Sequence, residues 1–79
     1  MMVPPELFDA AACARRGVPV TANPYPINGA DYFRWHAAWH EAIARDPRDE
    51  AQRRDRERYR KLAEIYRQYA NSAALTEMQ

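Results

Sequence analysis

His36 and His40, with Glu41 beside them, are the residues best placed by type and spacing to do chemistry, because imidazoles four residues apart share one helix face and could both meet a metal ion. The pattern stops short of a metal site. Position 37 is alanine, so the His-Glu-x-x-His arrangement of zinc hydrolases is absent, and Cys13 is the single thiol that could add a ligand. The default for both histidines is to close the edge of an aromatic face, hydrogen-bonded to the proline-rich segment before their helix. Nucleophilic catalysis has less support. No Gly-x-x-x-x-Gly-Lys loop is present to cradle phosphates, and no serine or cysteine has an activating neighbour. The expectation is a non-enzyme that uses no metal and no cofactor.

The second chemical signal is arginine interleaved with tyrosine after Asp46. Tyr59, Leu62, Tyr66, Tyr69 and Ala73 recur in alternating three- and four-residue steps, a heptad-like stripe with Ile65 beside it. Arg53, Arg56, Arg60 and Arg67 run along one flank, Arg54, Arg58 and Lys61 along the other, and Glu50, Glu57 and Glu64 occupy the back. Arginine with tyrosine suits phosphate contact and base stacking. The same residue types are enriched at protein interface hot spots. Residues 46–79 carry eight basic and seven acidic side chains, and the chain as a whole is +1, a balance that favours a charged protein partner over RNA. An aromatic stripe at helical spacing is read first as core, which leaves residues 48–58 as a solvated helix.

These side chains need a small all-α scaffold to position them. Seventy-nine residues make one domain, and a chain of this size buries only about 60% of the surface its unfolded form exposes. Cys13 has no partner for an internal disulfide, and no apolar run approaches the ~20 residues of a spanning helix. A reduced, cytoplasmic setting away from membranes is expected. Pro4 and Pro5, with Glu6 and Asp9, open a first helix over 5–16 that Gly17 ends, its face formed by Leu7, Phe8, Ala11 and Ala14 and Cys13 a minor packing residue. Residues 17–30 form a proline-rich strap that presents Tyr25 between Pro24 and Pro26. Gly29 permits a bend there, and Asn28 or Asp31 can cap the next helix. The second helix, 31–45, carries Tyr32, Trp35, Trp39, Ala42 and Ile43 on one arc, against which Tyr25 should pack. Asp46 caps a third helix over 46–75, whose roughly 28 fully helical residues at 1.5 Å each reach about 42 Å and should overhang the body. The overhang would project, pair with a second copy of the chain as a homodimer, or lie on a partner.

The succession Ala14-Arg15-Arg16-Gly17, Asn23-Pro24-Tyr25-Pro26 and Trp35-His36-Ala37-Ala38-Trp39-His40-Glu41-Ala42 resembles the ribosome modulation factor family, including the small proteins grouped with it and linked to ciprofloxacin resistance. The match covers roughly residues 10–45; Ala38 stands where the family usually has glycine, and the charged segment from Asp46 lies outside the pattern. The resemblance implies a small regulatory protein that docks on a large cytoplasmic assembly, with the ribosome and its rRNA as first candidate. It also implies a basic contact surface from Arg15, Arg16, Arg34 and Arg45, although Arg15 and Arg16 equally suit the negative end of their helix. With Arg53, Arg54, Arg56, Arg58, Arg60 and Lys61 from the third helix, these make up the candidate macromolecule-binding residues. The alternative is a protein-directed inhibitor of a host nucleic-acid machine, of phage or mobile-element type, acting through the long helix.

Overall fold

The computed structural model describes residues 3–78. It is all-α: four helices, α1 (Ala10–Arg15), α2 (Ala30–Arg45), α3 (Glu50–Arg54) and α4 (Arg56–Glu77), with 3-10 turns at Pro5–Phe8 and Val20–Ala22. α2 is the centre, with α1 packed on one side and α4 on the other. The result is a slab of 43 × 30 × 14 Å.

The expected first helix divides at Asp9. Its Oδ1 accepts the Ala12 N–H at 3.0 Å, so Asp9 is the N-cap of α1 rather than a residue inside one longer helix. That shifts the buried face to Ala10, Cys13 and Ala14, and leaves Phe8 43% exposed, its ring edge-on to Tyr25 at 5.1 Å. Cys13 is 0% exposed and lies in the α1–α2 cluster with Ala10 and Trp35, a larger role than minor packing. α1 ends as expected at Gly17, whose φ is +78°, and Val18 N–H donates to the Cys13 carbonyl at 2.9 Å in a Schellman closure.

The strap meets the tryptophan face. Tyr25 packs against the cluster, Trp35 Nε1 donates to the Leu7 carbonyl at 2.7 Å, and Trp39 Nε1 donates to the Val18 carbonyl at 2.9 Å. Each indole therefore anchors a different segment from outside the α-helices onto α2. Asn23 fastens the strap to the histidines. Its Oδ1 accepts the Tyr25 N–H, and its Nδ2 donates to the Tyr32 carbonyl and lies 2.8 Å from His36 Nδ1. Because Nδ2 can only donate, His36 Nδ1 accepts and carries no proton. The bend before α2 falls on Asn28, with φ +70°, and neither Asn28 nor Asp31 caps that helix: Gly29 is the N-cap residue and offers no side chain.

The third helix is interrupted as well. Pro47 disfavours helical ψ at Asp46, which ends α2 with φ −139° and ψ 74°. Asp49, not Asp46, caps the restart, accepting the Gln52 N–H at 2.8 Å. The chain breaks again at Asp55 and then runs as α4 antiparallel along α2.

Candidate functional site

The overhang expected of the long helix is absent over α4, because side chains at its two ends fasten it to the two ends of α2. Arg56 Nε donates to the Ala44 carbonyl at 2.6 Å and its Nη2 to the Arg45 carbonyl at 3.2 Å. Forty-seven positions along the chain from Ala30, Glu77 Oε1 accepts the Ala30 N–H at 2.9 Å. At 1.5 Å per residue α4 measures about 33 Å and covers the ~24 Å of α2 from end to end. Arg56 is thus a structural cap, which removes it from the freely displayed binding residues. Only the short α3 stands clear of most of the packing.

Between α4 and α2 the buried residues are Ala63 and Ala70, small side chains seven apart that let the helices approach closely. The tyrosine stripe lies on one flank of that contact, not at its centre. Tyr66 packs on His36 and His40 at ring distances of 4.9 and 5.3 Å, and Tyr59 on His40 at 5.9 Å. Tyr69 remains 51% exposed beside Phe33. The histidines are 8% and 7% exposed, and His40 Nδ1 donates to the His36 carbonyl at 2.7 Å. Burial pushes the pKa of both imidazoles down, and for His36 the neighbouring His40 adds to the effect. They form the edge of the aromatic face, tied to the strap through Asn23.

The other flank of the α2–α4 contact is open and basic. Arg34, Ala38, Glu41 and Arg45 form the side of α2 left uncovered between α1 and α4. Three open depressions of about 280, 410 and 310 Å³ meet at Glu41. Arg15 of α1 stands on one wall, and Arg56, Arg60 and Arg67 of α4 on the other. The floor is alanine, chiefly Ala37, Ala38, Ala42, Ala44 and Ala63. Six arginines line these depressions against Glu41, Glu64 and Asp46, a net of +3 on a chain whose total is +1. With Asp31 and Glu57, which pair with Arg34 and Arg60, the face stands at +1, so what sets it apart is the convergence of guanidinium groups and not an excess of charge.

Of the residues singled out by sequence, the fold brings Arg15, Arg34, Arg45, Arg56 and Arg60 to this groove. Arg16 caps α1 and points back to Cys13, its Nη2 3.8 Å from Sγ. Arg53 pairs with Glu50 on α3 at 3.6 Å, and Arg54, Arg58 and Lys61 are exposed but lie off the groove walls. Arg34 pairs with Asp31 at 2.8 Å, and Arg60 pairs with Glu57. Arg67 and Glu41 are the additions: the Glu41 carboxylate bridges Arg45 at 2.8 Å and Arg67 across the groove. Arg67 shares a helix flank with Arg53, Arg56 and Arg60, so its wall was visible in the periodicity, whereas its partner on α2 was not.

No protein-family model, curated protein or solved structure matches this chain. No helix among the described residues is long and apolar enough to cross a membrane.

Proposed function

We propose that this chain is a small, non-enzymatic, cytoplasmic binding protein that docks its arginine-walled groove on the phosphate backbone of RNA in a large assembly and thereby modulates or inhibits that assembly. The ribosome is the first candidate, on the strength of the resemblance to ribosome modulation factor over residues 10–45. The observation that carries the reading is the convergence of six arginines from three helices, all but Arg56 free of a capping role, on one alanine-floored face. Alanine lets a backbone come close, and guanidinium groups on both walls match phosphate oxygens in bidentate geometry.

A second reading, a protein-directed inhibitor acting through the outer side of α4, draws on Ile65 and Tyr69, exposed at 39% and 51% on the same side as the exposed Arg58 and Lys61. A pull-down from lysate with and without RNase separates the two, run with Arg15→Gln/Arg45→Gln and with Arg58→Gln/Lys61→Gln. RNA docking through the groove predicts loss of the partner on RNase treatment and in the first variant alone. Retention after RNase, with loss in the second variant, selects the protein-directed reading.

A further inference from the structure

We infer that Glu41 holds the place of a phosphate in an anion site formed by Arg45 and Arg67, and that a bound polyanion must displace it. This inference rests on the groove being the polyanion surface. Glu41 is the residue at which all three depressions meet, and its two carboxylate oxygens serve different walls: Oε1 binds Arg45 of α2 and Oε2 binds Arg67 of α4. A carboxylate offering one oxygen to each of two guanidinium groups presents the same pair of acceptors as the two non-bridging oxygens of a phosphodiester. The pair is not there to hold the helices together. Ala63 and Ala70, Tyr66 and the Arg56 and Glu77 caps already fix α4 on α2, and the side chains of Arg45 and Arg67 stay 79% and 51% exposed, hydrated without Glu41. Glu41 itself is 30% exposed, the most sheltered member of the three, so its charge is felt strongly by any anion entering the groove. Its role is to hold down affinity for anions too weak to compete for both arginines at once.

The test is Glu41→Gln on the full chain, measured by elution from immobilised heparin and by anisotropy with a uridine 20-mer between 50 and 200 mM salt. Glu50→Gln serves as the control of equal charge change, since Glu50 pairs with Arg53 away from the groove. Glu41→Gln should elute at higher salt than both wild type and Glu50→Gln. Its RNA affinity should rise by about tenfold at low salt, as expected for removal of one like charge at close range. Adding Arg45→Gln and Arg67→Gln should erase the gain.

Equal elution of Glu41→Gln and wild type overturns the inference, as does an equal shift in Glu50→Gln or a gain that survives loss of both arginines. A heparin gain that depends on the two arginines, without any RNA binding, supports this anion site and refutes the RNA reading. RNA binding that needs Arg15 and Arg45 but ignores Glu41 does the reverse.

Discussion

At the scale of single residues, the histidines carry the clearest consequence for stability. His36 faces Asn23 from the strap and Tyr32 from its own helix, and His40 faces Tyr59 and Tyr66 from α4; no acidic side chain contacts either ring among the described residues. Burial lowers both pKa values from the 6.5 of a free imidazole, so as pH falls the unfolded chain takes up protons before the folded one. Stability is complete above about 6.5, the ordinary histidine value, and is lost as pH falls from there through the lowered folded values. For His36 the loss has a geometric cause as well, since a proton on Nδ1 would face the Asn23 amide donor. Urea midpoints measured from pH 7.5 to pH 5 should fall, and His36→Gln/His40→Gln should flatten the dependence while lowering the midpoint at pH 7.5. A midpoint that rises on acidification would mean that the rings are charged in the folded state.

At the scale of elements, α2 has both its ends capped by side chains of α4, an arrangement that sets the register of the two helices. Arg56 supplies donors to the last carbonyls of α2, and Glu77 supplies the acceptor that Gly29 lacks at its start. Loss of either cap should cost about 1 kcal/mol, which for a domain of this size lowers Tm by about 4–8 °C. Arg56→Ala and Glu77→Ala should each show this in a thermal melt. Glu77→Gln, which keeps the acceptor oxygen, should lose less. A Tm unchanged in both alanine variants would mean that Ala63, Ala70 and the tyrosines set the register alone. These caps also mark where sequence reading ended. Periodicity gave α2 to within one residue, and Gly17 and Pro47 announced the chain breaks beside them, because those signals act locally. Glu77 capping Ala30 and Arg56 capping Ala44 join residues 47 and 12 positions apart, and no local pattern encodes them. The same reason made α4 look too long for the body, and it put the tyrosines rather than Ala63 and Ala70 at the centre of its contact.

At the scale of the molecule, thinness decides what the charges are for. A slab 14 Å deep has little interior, and its 5568 Å² of surface exceeds the roughly 4,900 Å² expected of a compact monomer of 9.2 kDa. The arginines therefore lie on faces and edges, where four of the five ion pairs among the described residues join residues of one helix three or four apart. Such pairs contribute about 0.2–1 kcal/mol each and are screened by salt, but so are the repulsions between like charges around them. Apart from the Arg56 and Glu77 caps, the fold rests on the Trp35–Cys13 cluster, the two indole hydrogen bonds and the alanine contact of α2 with α4, none of which depends on ionic strength. Raising salt from 50 to 200 mM should then leave Tm within about 2 °C, while RNA affinity through the five groove arginines other than Arg56 falls by about 10²-fold. The two measurements are made on one sample series. Parallel decline of Tm and affinity would mean that groove arginines other than Arg56 stabilise the fold as well, and binding would then have to be sought on the Arg58 and Lys61 edge of α4.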